Sequence, residues 1–249
     1  MVYYNNYNIN LSRKNLRSDI TGVAMQINKT VDAVLFDLDG TLTDTERYYQ
    51  IAWPQALEHF GYIMDKDMPL KLRSLGRPFA PKQFKEWFGE DFDYQAVREY
   101  RKSIVEEMIK KNGIPLKPGA KEILRWLREN GILTALVTAN DYQRAERYLK
   151  KIGLFEDFDK IICANMVEQG KPAPDIYAFA CKELGLAPGR TFAVEDSPNG
   201  VTSAYLAGCK VIMIPDLTEP DEELRSKLYA RVDNLMMIKG FFSQPQEKL

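Results

Sequence analysis

The sequence predicts an α/β fold, a doubly wound, Rossmann-like parallel sheet with an α-helical unit inserted after the first strand. Three observations carry this. An apolar, β-branched run from Val31 leads into Asp37, Asp39 and Gly40, the pattern of a buried strand ending in carboxylates at a sharp turn. From Ala120 onward, strand-like runs alternate with helical stretches, which calls for right-handed crossovers and a parallel sheet. Between the two, residues 65 to 112 keep helical spacing and show no strand-like alternation.

Taken in order, residues 1–29 read as an N-terminal extension, rich in Asn and Tyr, without the apolar core of a secretory signal and expected to be disordered. Met25 stands just before the first strand and is a candidate start. After that strand, Thr43 and Glu46 have capping-box spacing, so a helix is expected from about Thr45 to Phe60, kinked at Pro54 and closed by Gly61. Leu70, Leu72 and Leu75, then Phe84, Trp87 and Phe88, then Val97, Ile104 and Met108 recur at helical intervals, enough for three or four helices. Two prolines and two glycines within residues 111–119 mark the return to the sheet. The expected organisation is therefore a core of residues 30–44 and 116–240, a helical cap of residues 45–115, and a tail of residues 241–249.

Within the core, helices are expected over 120–129, 141–151, 175–184 and 198–207. Strands are expected over 132–138, 160–163, 191–194 and 210–214, with one more amphipathic helix and a strand-like or irregular end after Glu219. Ligands of such sheets bind at the carboxyl ends of the strands. Asp37, Thr138 and the pair Glu195 and Asp196 all fall there.

Composition narrows the function. The 249 residues are 45% hydrophobic, and 34 bases against 35 acids leave a net charge of -1, so no basic field points to nucleic acid. Partners are expected to be small molecules, and the chain is expected to be a monomer. No apolar run approaches the ~18 residues that span a bilayer. Three widely spaced cysteines, Cys163, Cys181 and Cys209, fit buried thiols of the cytoplasm.

Four stretches carry the chemistry. Asp37 and Asp39 would repel each other unless a cation offsets them, and a divalent metal is the simple answer; taken alone, the pair could also merely open a turn. Thr138, in Val-Thr-Ala-Asn, could hold an anion or cap the next helix, a role that Asn140 fills better, with Gln143 three residues on. Lys171 sits in a loop stiffened by prolines, Lys-Pro-Ala-Pro-Asp. Glu195 and Asp196 are hard oxygen ligands at a strand end, followed by a Ser197-Pro198 helix start.

In this order the four stretches resemble the haloacid dehalogenase superfamily, in the branch of β-phosphoglucomutase and phosphoglycolate phosphatase with a helical cap. The resemblance implies that Asp37 is the nucleophile and Asp39 the general acid and base. It implies that Thr138 and Asn140 bind the transferring phosphoryl group and that Lys171 offsets its charge. Mg²⁺ would be held by Asp37, Asp39 through its main-chain carbonyl, Asp196, and Glu195 directly or through water. Asp39 favours phosphoryl chemistry, since the dehalogenases typically lack that second acid. Arg77 corresponds to a cap arginine that grips a distal phosphate, although an exposed loop arginine reads the same way. Two departures count against a true mutase: Asp141 stands where that enzyme has lysine, and Tyr49 where it has histidine. His59, the only histidine, falls elsewhere in the cap. The expected activity is a Mg²⁺-dependent phosphatase of a small phosphorylated metabolite such as a sugar phosphate, acting through an aspartyl-phosphate. The alternative is a hexose-phosphate mutase.

Overall fold

The chain begins its ordered course with β1 (Ala33–Phe36), whose four residues are all buried. The computed structural model describes residues 31–242, so the expected extension, the Met25 start and most of the tail lie outside the described residues. Four helices follow β1, namely α1 (Glu46–His59), α2 (Met68–Lys71), α3 (Phe79–Phe88) and α4 (Tyr94–Asn112). Then come α5 (Ala120–Glu129), β2 (Leu133–Thr138), α6 (Tyr142–Ile152), β3 (Lys160–Cys163), α7 (Asp175–Leu184) and β4 (Thr191–Glu195). The chain closes with α8 (Pro198–Leu206), β5 (Lys210–Met213), α9 (Glu222–Arg225) and β6 (Ala230–Arg231).

The six strands lie in the order β3-β2-β1-β4-β5-β6 and every pairing is parallel, the α/β fold that the alternation predicts. The chain fills one side of β1 with β2 and β3, then crosses to the other with β4, so the loops after β1 and β4 part at a switch point. Register decides what meets there. Phe36 pairs with Leu136 on one side and Val194 on the other, which sets Asp37 beside Val137 and Glu195.

Side chains alternate between two apolar layers, so the strands read as unbroken hydrophobic runs. Val34, Phe36, Leu136 and Val194 face one layer with Ile123, Leu127 and Tyr148, while Leu35, Val137 and Ala193 face the other with Ile176, Tyr177 and Val201. A third cluster joins Trp53, Leu57, Phe84, Phe92 and Val97 of the insert. Its Trp53–Phe84 and Phe84–Phe92 rings stand 4.8 and 5.2 Å apart, contacts each worth about 0.5–1.5 kcal/mol beyond the buried area. Helix α1 serves both units, with Tyr48 and Ala52 in the sheet layer and Trp53 and Leu57 in the insert.

Two local expectations are corrected. Thr43 and Glu46 form no capping box: the Thr43 hydroxyl donates to Leu38 O at 3.0 Å, and Thr45 precedes α1 without capping it. Asn140 does not cap α6; Asp141 does, accepting from Arg144 N at 3.0 Å, because a carboxylate is the stronger acceptor and the Asn140 amide is engaged elsewhere. After Glu219 the chain forms the four-residue helix α9, then β6 and a 3-10 stretch, Leu235–Phe241, that packs Leu235 and Ile238 onto the sheet, in the expected order of a helix and then a strand-like or irregular end.

Candidate active site

Asp37 stands one residue past β1, 1% exposed, with its Oδ1 2.6 Å from the Lys171 ammonium. Lys171 also donates to Glu195 Oε1 at 2.6 Å and to Val137 O at 3.0 Å, so its three N–H bonds are all used. Burial disfavours its charge, but Asp37 and Glu195 outweigh burial and hold its pKa above the ordinary lysine range. Tyr177, on α7, donates to the same Glu195 oxygen at 2.6 Å. Burial and the facing acids raise the phenol's pKa, so it stays a donor.

Asp196 accepts from the Thr41 hydroxyl at 3.3 Å and pairs with the Arg73 guanidinium at 3.4 Å, both side chains being almost wholly buried. Its carboxyl is pushed up to about 7 by burial and by Glu195, against the pull of Arg73. Asp37 is raised well above the carboxylate range, by burial first, and the neighbouring acids add to this against Lys171. Gly40 is what allows the turn to bring these acids together. Its φ is +92°, and a Cβ there would stand 2.3 Å from Asp196 Oδ2.

Asp39 accepts from the Thr45 hydroxyl at 2.5 Å and from the Asn140 amide at 2.6 Å. Thr138, the last residue of β2, accepts at its hydroxyl oxygen from the Asn140 main chain and side chain at 3.2 and 3.1 Å. That leaves its proton free to donate. The strand ends therefore bring together Asp37, Asp39, Thr138, Asn140, Lys171, Glu195 and Asp196. Arg77 is exposed and borders a cavity of about 380 Å³ that also reaches Asp37, Asp39 and Asn140.

Several residues at this site were not singled out by the sequence. Arg73, Arg101 and Arg144 are buried, and all three line the cavity with Glu46, a carboxyl raised well above its usual range by burial and by Asp196 and Asp39. Nothing in the spacing of these arginines separates them from surface charge on a helix. The segment carrying Arg73 lies against the sheet unit. Asn199 donates to Lys71 O and Arg73 O at 3.1 and 2.8 Å, Gly76 N to Lys171 O at 2.8 Å, and Gly170 N to Arg77 O at 2.6 Å. Gly76 and Gly170 touch backbone to backbone, so a Cβ at Gly76 would stand 2.7 Å from Gly170 Cα. Gly76→Ala is expected to push this segment off the lysine loop and lower kcat/KM by about 10²-fold, the cost of a misplacement of ~1 Å. A steady-state assay with phosphate readout checks it, and unchanged kcat/KM would mean that the contact is incidental.

The residues fit a divalent cation on the structure's own terms. Asp37, Glu195 and Asp196 each offer an oxygen within 4.8 Å of the others, and Asp37 Oδ2 is buried with no partner. Three acids so crowded keep protons unless more positive charge joins Lys171 and Arg73, and a divalent cation would supply it.

This sheet order, with acids gathered at its switch point, defines an α/β protein with an acidic site at the carboxyl ends of its strands. A family model described as haloacid dehalogenase-like hydrolase matches residues 31–208, and the chain belongs to that family, in the branch that includes β-phosphoglucomutase. Hexitol phosphatase A of Escherichia coli (strain K12) is 32% identical over 77% of this chain and 89% of its own. Beta-phosphoglucomutase of Bacillus subtilis (strain 168) is 29% identical over 71% and 80%. Among solved structures, CbbY from Rhodobacter sphaeroides in complex with phosphate superposes with a TM-score of 0.69 at 27% identity, covering 82% of this chain and 94% of that one. Among the described residues no helix is long and apolar enough to cross a membrane.

Proposed function

We propose that the protein is a Mg²⁺-dependent phosphatase of a small phosphorylated metabolite, such as a sugar phosphate, working through an aspartyl-phosphate on Asp37. The observation that carries this reading is Asp37 itself. It borders the cavity with one oxygen pinned by Lys171 and the other, Oδ2, without a partner. Attack by Asp37 on phosphorus forms the P–O bond to the carboxylate and breaks the bond to the ester oxygen, which takes a proton from Asp39. Asp39 then accepts a proton from water as that water attacks the aspartyl-phosphate, releasing phosphate and restoring Asp37. Asn140 and Thr45 hold Asp39 for both transfers, and the free Thr138 proton and Lys171 offset the phosphoryl charge. Mg²⁺, held by Asp37, Asp196, the Asp39 carbonyl and Glu195, would supply charge neutralisation at the phosphoryl oxygens. The helices of residues 45–115 act as a cap that carries the substrate-recognising groups, Arg77 at its edge among them.

The relatives' names support phosphorylated carbohydrates as the substrate class. Tyr49 and Asp141, in place of the mutase's histidine and lysine, favour water over a sugar hydroxyl as acceptor. The test offers β-glucose 1-phosphate and a panel of sugar phosphates with Mg²⁺ and a trace of glucose 1,6-bisphosphate. Phosphate release without glucose 6-phosphate is expected, and glucose 6-phosphate forming well ahead of phosphate would make the protein a mutase.

The raised acids also set a pH dependence. Asp196 keeps a proton in the native state that the unfolded chain gives up between about pH 4 and 7, so the metal-free protein loses stability as pH rises through that window. A cation that needs the ionised carboxylates binds better at its upper end. Saturating Mg²⁺ is therefore expected to raise Tm more at about pH 7.5 than at about pH 5.5. Equal shifts in scanning fluorimetry at the two values would remove these acids from the metal site.

A further inference from the structure

We infer that Cys181 of α7 and Cys209, the residue before β5, form a modification site: a hydroperoxide closes the pair into a reversible disulfide that ties α7 to the sheet and stabilises the fold. The inference makes no use of the phosphatase reading.

All three cysteines are free, and the sulfurs of Cys181 and Cys209 lie 3.8 Å apart although 28 positions separate them in the chain. The fold brings them together. Cys181 stands one turn after Tyr177 on the face of α7 that packs on the sheet, in the same apolar layer as Cys209. Phe192 pairs with Lys210, so Cys209 lies beside Thr191 where β4 and β5 begin, at the opposite end of the strands from the acids. Both backbones are held there, with Leu186 N donating to Cys181 O at 2.9 Å and Cys209 N to Ala204 O at 3.1 Å. Closing the gap to the ~2.05 Å of a disulfide asks each sulfur to move by only about 0.9 Å.

A thiol also serves as a small apolar side chain, but the two members of this pair differ in the way an attacking and a resolving cysteine differ. The hydrogen bond with Cys209 lowers the Cys181 thiol below its ordinary value against the effect of burial, whereas the same bond and burial raise Cys209. Cys181 is therefore the sulfur that ionises first. The pair is shallowly placed: Cys181 is 2% and Cys209 6% exposed, and their chain neighbours Lys182 and Gly208 are open to solvent. Cys163 is the contrast within the same chain, wholly buried and pushed up to about 12 by that burial.

The chemistry balances with a hydroperoxide as oxidant. The Cys181 thiolate attacks one peroxide oxygen, forming an S–O bond as the O–O bond breaks, and the departing oxygen takes up the proton that Cys181 gave up. Cys209 then attacks the Cys181 sulfur. The S–S bond forms, the S–O bond breaks, and the hydroxyl leaves as water with the Cys209 proton. Both sulfurs are oxidised and both peroxide oxygens reduced to water, and a dithiol reverses the bond by exchange. Helix α7 carries Tyr177, the donor to Glu195, so the cross-link fixes an element that supports the site.

The test treats the full chain, first reduced and then freed of reductant, with hydrogen peroxide. Thiols counted in denaturant are expected to fall from three to one per chain, and peptide mass spectrometry should find Cys181 joined to Cys209 with two hydrogens lost. Tm should rise by about 5–10 °C, the effect of closing a loop of this length in a chain of this size, and fall back with dithiothreitol. In Cys209→Ala or Cys209→Ser the reaction should stop at a sulfenic acid on Cys181, trapped by dimedone, with no rise in Tm. The wild-type results do not depend on either variant folding. Three thiols surviving in native protein, oxidation of Cys163 ahead of the pair, a bond between two chains, or a disulfide that leaves Tm unchanged would each overturn the inference.

Discussion

Phosphate release is expected to fall by a factor on the order of 10⁴ or more in Asp37→Asn, because an amide cannot form the acyl-phosphate bond. The fold should survive. Asn has the shape of Asp, and the change removes one of several crowded acids whose charge burial already disfavours. Lys171 keeps Glu195 and Val137 O as acceptors. A phosphate assay beside a thermal scan checks both halves, and activity above about a hundredth of wild type in a folded variant would take the nucleophilic role away from Asp37.

Lys171→Met is expected to damage stability and activity together. The lysine stands 2.6 Å from both Asp37 and Glu195, and all three side chains are 0–2% exposed. Removing it leaves two buried carboxylates facing each other without their cation, a change that costs about 3–5 kcal/mol. The same loss strips charge stabilisation from the phosphoryl group and should lower kcat by about 10²–10³. The sign of the pH effect follows. Without the lysine, Asp37 is raised further, so the variant holds protons in the native state and is least impaired in acid. It loses stability relative to wild type as pH rises and the pair must ionise. Urea unfolding at about pH 5 and pH 7.5 reads this directly. A variant as stable as wild type at both values would mean that Lys171 does not balance these acids.

The sheet and the acids of the site were legible because each acid ends an apolar run. Asp37, Glu195 and Asp196 follow strands whose composition forces them into the sheet, and ligands of a parallel sheet gather at those ends. Lys171 was legible only through its flanking prolines and the order of the four stretches. Spacing reads Asn140 as a helix cap, beside the phosphoryl-binding role the resemblance implies, because it cannot show that Asp141 is the better acceptor or that Asp39 lies 2.6 Å from the Asn140 amide. Arg73, Arg101 and Arg144 were invisible for another reason. On a helix or its flank, arginine normally marks the solvent side, and only the docking of the insert on the sheet turns these three inward. What the spacing of one chain cannot carry is the meeting of two surfaces.

The most direct test of the account is a single turnover stopped by acid, followed by peptide mass spectrometry of the protein. The account predicts one added phosphoryl group on the peptide that contains Asp37, lost on mild base treatment and missing from Asp37→Asn. Turnover that leaves no phosphoryl group on the protein, or leaves it on any other residue, would contradict it.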